Sequence, residues 1–183
     1  MSNGAAPANS AFVFFPDADP GLIDQLRNGG MPPGVRYVAS VTGSSQVIAV
    51  LSYDELIELP AIIRSLSEGD STALPLRTSQ IRKSEYREKT AFIRIQTKVG
   101  DPETLLAPIR EAIGSDEADV VFGDFDILAC VVGDSIEDLN TRVVGSLRTI
   151  EGISRTETLI VIDYVSLSEN APDGHRGTTK SMA

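Results

Sequence analysis

The chain is poor in the side chains most often recruited for chemistry: among 183 residues there is one cysteine, one histidine and no tryptophan. A single cysteine rules out an intrachain disulfide. Cys130 sits in the apolar run Ile127-Leu128-Ala129-Cys130-Val131-Val132 and reads as a small buried strand residue. Such usage suits a reducing compartment, so a cytoplasmic location is expected. His175 lies in a polar, unpatterned stretch and reads as a solvated tail residue. No histidine-based triad remains, and no cluster of metal-ligating type stands out. No catalytic residue, metal or cofactor is therefore assigned.

Other absences narrow the class of partner. The first 26 residues hold no Lys or Arg and begin Met-Ser-Asn-Gly-Ala-Ala-Pro, without the apolar centre of a secretory signal. No apolar run approaches the roughly 20 residues that cross a bilayer, so no membrane partner is expected. Basic residues number 16 against 26 acidic ones, for a net charge of −10 and a pI near 4.5. That balance disfavours direct contact with phosphate backbones, and no nucleic-acid partner is expected.

What is present is a repeat. Residues 11 to 84 laid without a gap over 91 to 164 pair Ala11 with Ala91, Phe12 with Phe92, Gly43 with Gly123, Ala49 with Ala129, Asp54 with Asp134, Leu59 with Leu139 and Thr78 with Thr158. The second copy is the more regular. Thr90 to Thr97 alternates in the manner of a strand; Asp101-Pro102-Glu103 opens a helix that Gly114 ends. The runs Ala118 to Phe122 and Ile127 to Val132 flank a short Gly/Asp segment, as in a hairpin. Asp134-Ser135 caps a helix with Ile136, Leu139, Val143, Leu147 and Ile150 on one side, and Thr158 to Val165 reads as a last strand.

The first copy follows the same order: strand Ala11 to Phe15, helix Pro20 to Arg27, hairpin Val35 to Thr42 and Gln46 to Ser52, helix Asp54 to Leu66, strand Arg77 to Ser84. Pro60 should kink the second helix or delay its start, and Ser67 to Pro75 reads as a loose loop. The expected fold is α+β, two ferredoxin-like βαββαβ sandwiches in tandem. The expected domains are a disordered tail at 1–10, a degenerate repeat at 11–84, a linker at 85–90, a second repeat at 91–165 and a disordered tail at 168–183.

The second copy resembles a known family. Ala91-Phe92-Ile93-Arg94-Ile95, Gly123-Asp124-Phe125-Asp126-Ile127, Asp138-Leu139-Asn140, and Ile150-Glu151-Gly152-Ile153 leading into Arg155-Thr156-Glu157-Thr158-Leu159-Ile160-Val161 together resemble the effector-binding domain of the Lrp/AsnC transcription regulators. The resemblance covers about residues 90 to 164. It implies a sandwich that dimerises through its sheets, assembly of dimers into rings, and an amino acid bound near the Gly-x-aromatic-Asp hairpin. Members usually carry a helix-turn-helix domain of roughly 60 residues before this one. Only ten residues precede Ala11 here, so a module without its DNA reader is expected, one chain supplying both halves of a dimeric α+β barrel.

By this resemblance the candidate ligand-binding residues are Gly123, Asp124, Phe125 and Asp126, with Thr156 and Thr158 on the adjacent strand. Amide groups at the turn suit a carboxylate and the Asp side chains an ammonium group. Gly and Asp also simply make good turns, threonine is an ordinary strand residue, and an aromatic after a turn often packs across strands. The first copy reads Gly43-Ser44-Ser45-Gln46 and has no carboxylate, so it reads as a structural partner.

The expected function is a non-enzymatic module that binds an amino acid or similar small metabolite. It would act as a homo-oligomer or by coassembly with full-length Lrp-type regulators. The alternatives are a structural adaptor with vestigial sites, an ACT-type sensor using the turns Pro16-Asp17-Ala18-Asp19 and Lys98-Val99-Gly100-Asp101, and a cofactor-free enzyme of the dimeric α+β barrel class.

Overall fold

In the computed structural model, residues 9–19, 21–67, 70–75, 89–98 and 100–167 are described. Among these residues eight strands and four α-helices follow one another as β1 (Asn9–Phe15), α1 (Leu22–Gly29), β2 (Val35–Val41), β3 (Val47–Tyr53), α2 (Leu59–Arg64), β4 (Thr72–Pro75), β5 (Thr90–Thr97), α3 (Leu106–Ile113), β6 (Ala118–Val120), β7 (Ile127–Val132), α4 (Ile136–Asn140) and β8 (Ile153–Ser166). Strand, helix, strand, strand, helix, strand is thus the order in each half. The strands form one antiparallel sheet, β4-β1-β3-β2-β8-β5-β7-β6. β8 is long enough to join the halves: residues 153–160 pair with β5, and 161–166 pair with β2. At the other side the Phe122 amide, two residues beyond β6, donates to the carbonyl of Pro75 at the end of β4 (2.9 Å), which curls the sheet round on itself.

Alternation along each strand divides the core into three. Ala11, Val13 and Phe15 of β1 pack under α1 and α2; Ala91, Ile93 and Ile95 of β5 pack under α3 and α4. The intervening residues turn inward to a shared interior of Phe12, Phe14, Tyr37, Ile48, Leu74, Phe92, Phe125, Leu128, Cys130 and Leu159. Aromatic contacts cross between the halves there, with Phe12 and Phe92 ring centroids 5.7 Å apart and Tyr37 and Phe92 6.2 Å apart. Outside, Arg27 of α1 holds both carboxylate oxygens of Asp163 at 2.8 Å, fastening the first half's helix to the second half's last strand.

The caps act where the sequence places them. Asp101 accepts from the Glu103 amide at the start of a 3₁₀ turn that runs into α3, and left-handed Gly114 closes that helix. Ser135 accepts from the Asp138 amide at the start of α4. Beyond Asn140 a π turn, Thr141–Gly145, interrupts the expected helix; Leu139, Val143 and Leu147 are buried, but Ile136 is exposed. Pro60 delays α2, which is preceded by a 3₁₀ turn at Leu56–Glu58.

One expectation about the first half needs correction. The stretch read as a loose loop, Ser67 to Pro75, contains β4, whose Leu74 pairs with Phe12 as Leu159 pairs with Phe92. The gapless alignment therefore slips before the last strand, because pairing follows the inward apolar side chain rather than a constant spacing. The strand expected at Arg77 to Ser84, with its Thr78, lies outside the described residues, as do most of the 85–90 linker, residues 1–8 and the 168–183 tail with His175. Asn9 and Ser10, placed in a tail by the sequence, belong to β1.

Candidate functional site

Each half presents a hairpin whose tip rests on the other half. In the first, the Val41 amide donates to Gln46 and the Gln46 amide to Phe15; in the second, Val121 donates to Asp126 and Asp126 to Ile95, all at 3.0 Å. The glycines at the two tips have positive φ, 103° at Gly43 and 144° at Gly123, which a side chain would strain. Neither has room for one: a Cβ on Gly43 would meet Leu159 of β8, and a Cβ on Gly123 would meet Leu74 of β4. The frames match, and their polar equipment differs.

In the second hairpin Gly123 and Asp124 are exposed, and among the described residues Asp124 engages no hydrogen-bonding or ionic partner. Asp126 is already engaged. Its Oδ2 accepts from the Thr97 amide at 2.7 Å and from the Thr97 hydroxyl at 3.0 Å, tying the hairpin to the end of β5. Phe125 points inward to the barrel core. Thr156 and Thr158 pair with Ile95 and Ile93, whose side chains face α3 and α4, so both threonines lie on the opposite face of the sheet from Phe125. Within one chain the six residues taken from the resemblance do not form a single cluster: Gly123, Asp124, Phe125 and Asp126 stand together, and the threonines stand apart.

The first hairpin contains a constellation that sequence reasoning missed. Arg94 of β5 turns into the barrel beside Phe92 and is only 6% exposed. Its guanidinium lies over two rings, 4.6 Å from the centroid of Phe14 and 4.6 Å from that of Phe125. One nitrogen, Nη2, donates both to Glu157 Oε2 at 2.5 Å and to the Ser44 hydroxyl at 2.7 Å. The other Glu157 oxygen accepts the Ser44 amide at 3.2 Å. Nε of Arg94 is buried with no hydrogen-bond partner among the described residues.

Burial by itself would raise the Glu157 pKa, but the hydrogen bonds from Ser44 and the charge of Arg94 outweigh it and hold the carboxyl below its usual range. The hairpin that lacks an acid of its own thus grips one from β8. In the other half the same register holds Phe14 opposite Thr72 where this one holds Arg94 opposite Glu157, so no such pair forms there. The sequence carried one signal: Arg94 alternates with Phe92 on the face of β5 opposite Ile93 and Ile95, a charge in an apolar register.

Elsewhere, no group of three His, Cys, Asp or Glu side chains among the described residues is arranged to hold a metal ion. No described helix is long and apolar enough to cross a membrane.

Residues 90–170 match the Lrp/AsnC ligand binding domain. No curated protein sequence matches the chain. Among solved structures, TTHA0845 of Thermus thermophilus aligns over 40% of this chain and 94% of its own, with 29% identity and a TM-score of 0.33. The siroheme decarboxylase NirDL, in complex with an iron-uroporphyrin III analogue, aligns over 85% of this chain and 71% of its own at 12% identity and TM-score 0.61. A putative monooxygenase of Fusobacterium nucleatum subsp. nucleatum aligns over 90% of this chain and 96% of its own at 14% identity and TM-score 0.51. At such identities these last two likenesses bear on the fold alone, which is α+β with a curled antiparallel sheet, as in these neighbours of the dimeric α+β barrel type.

Proposed function

We propose that the chain is a small-molecule-binding regulatory module of Lrp/AsnC type, non-enzymatic, in which a ferredoxin-like unit has been duplicated so that one polypeptide supplies both halves of the barrel. Its ligand is an amino acid or a closely similar metabolite, held at the hairpin tip Gly123-Asp124. The observation that carries this reading is the family match over 90–170, which includes a hairpin tip whose Asp124 carboxylate is exposed and unengaged among the described residues. Backbone amides at the glycine turn suit a ligand carboxylate, and Asp124 suits its ammonium group. Asp126, engaged with Thr97, shapes the hairpin rather than meeting the ligand.

A non-enzymatic role is supported by the side chains inside the barrel. Phe12, Phe14, Phe92 and Phe125 cluster in the interior of the barrel, and none of them carries an acid, a base or a nucleophile. Action through assembly is supported by exposed apolar side chains at matching places in the two halves, Leu56 after β3 and Ile136 after β7.

A thermal-shift screen of the twenty amino acids tests the reading. A true effector at about 100 times its Kd contributes about 2.7 kcal/mol, which for a domain of this size raises Tm by roughly 5–10 °C. Asp124→Ala should abolish the shift without lowering the Tm of the unliganded protein. No stabilisation by any amino acid, or a shift that survives Asp124→Ala, would sink the assignment.

A further inference from the structure

Beyond the hairpin at Gly123, we infer that Arg94 is a second recognition site, for the carboxylate of a small organic acid, and that Glu157 is its tethered occupant. The resident acid uses the arginine poorly. A guanidinium offers a carboxylate two parallel N–H groups, and a free carboxylate takes both. Glu157 takes one: Nη2 serves it and Ser44 together, while Nε, equally buried, donates to nothing among the described residues. Anchored to β8 opposite Arg94 itself, the glutamate approaches from the side its strand allows. An untethered carboxylate is free to align with Nε and Nη2 at once.

The remaining parts of a carboxylate site are already in place. The Ser44 amide donates to Glu157 Oε1 from a hairpin tip at which Gly43 has a positive φ, so a backbone donor and a side-chain cation serve the two oxygens of one carboxylate. The rings of Phe14 and Phe125, each with its centroid 4.6 Å from the guanidinium carbon, hold the arginine in place. Access needs no disruption of the core. Thr42, Gly43 and Ser44 are exposed, and the Glu157 side chain retains 15% of its accessibility, so it can swing into water as the ligand enters. Exchange of one carboxylate for another keeps the buried charge neutralised throughout, which avoids the cost of an unpaired buried arginine.

The test follows the Nε–H signal of Arg94, assigned through the backbone, by heteronuclear NMR of the intact chain. Sodium propionate and each of the amino acids are the probes, and sodium chloride at matched ionic strength is the control. The expected result is a saturable displacement of that signal by a carboxylate and not by chloride. Glu157→Gln, which removes the competing charge but keeps the side-chain shape, should tighten the apparent Kd by about tenfold or more, since the competent state no longer has to displace an internal anion. A signal unmoved in the wild-type chain, one moved equally by chloride, or an affinity unchanged by Glu157→Gln would each overturn the inference. The wild-type titration does not depend on any variant folding. Asp124→Ala should leave the Arg94 titration intact, so failure here and failure at the Gly123 hairpin are read separately.

Discussion

Removing the Arg94 guanidinium deprives the largely buried Glu157 carboxylate of its charge partner and leaves it the Ser44 amide and limited access to water. Loss of one partner from a buried pair is far costlier than loss of both, so Arg94→Leu should destabilise the chain by about 2–4 kcal/mol in urea unfolding, and the double variant Arg94→Leu/Glu157→Leu should regain most of it. The same pair fixes a pH dependence. Because the folded-state pKa of Glu157 lies below its unfolded value, the contribution is complete above the usual glutamate range of about 4.3 and is lost as pH falls through the lowered value. Acid titrations of stability should show wild type losing its advantage over Glu157→Gln only at the acid end; an equal gap at all pH values would contradict the assignment. Neither effect was legible beforehand. Arg94 could be seen to alternate with Phe92, but that the face it shares is the inside of a barrel depends on the other half of the chain.

At the scale of the element, the two hairpins are set by their glycines. Gly43→Ala would place a Cβ 2.6 Å from Leu159 Cδ2 at a backbone angle that favours glycine, and Gly123→Ala would do the same against Leu74. Each should cost about 1–3 kcal/mol by thermal or urea denaturation. Gly29→Ala, at the end of α1 with nothing within 4 Å, should be neutral or stabilising by about 0.5–1 kcal/mol. Elements with strong local signals were readable: the Asp101 and Ser135 caps, the Gly114 stop, and the β7 run of Ile127 to Val132. β4 was not. Its sequence, Thr72-Ala73-Leu74-Pro75, has little strand character, and it is extended because Leu74 fills the interior opposite Phe12 and Gly123 packs on top of it.

At the scale of the whole molecule, the described strands form one sheet and the two halves share an interior. Phe12, Phe14 and Tyr37 from one half meet Phe92, Leu128 and Leu159 from the other, and β8 carries pairing across the boundary. Unfolding followed by aromatic fluorescence and by far-ultraviolet circular dichroism should therefore coincide in one transition, because neither half keeps its core when the other melts. A fragment of residues 89–167 would expose the barrel face of β5, β7 and β8, and should self-associate rather than remain monomeric in light scattering. A stable monomeric fragment would mean that the interior contributes little. The likeness to the siroheme decarboxylase NirDL over 85% of this chain is a likeness at this scale, taking in both halves.

By itself the sequence determined the order of the elements in the second half, most of that in the first, and the hairpin at Gly123, and it carried the resemblance of residues 90 to 164 to the Lrp/AsnC ligand binding domain, because these follow from local propensity, capping and periodicity along a continuous stretch. Tertiary structure alone decided that the halves close on each other, that Asp126 is taken by Thr97 while Asp124 stands open, and that Arg94 and Glu157, 63 residues apart, meet beneath Ser44. Those outcomes depend on register across strands from distant parts of the chain, where shifting a strand by one residue would send Arg94 to the opposite face.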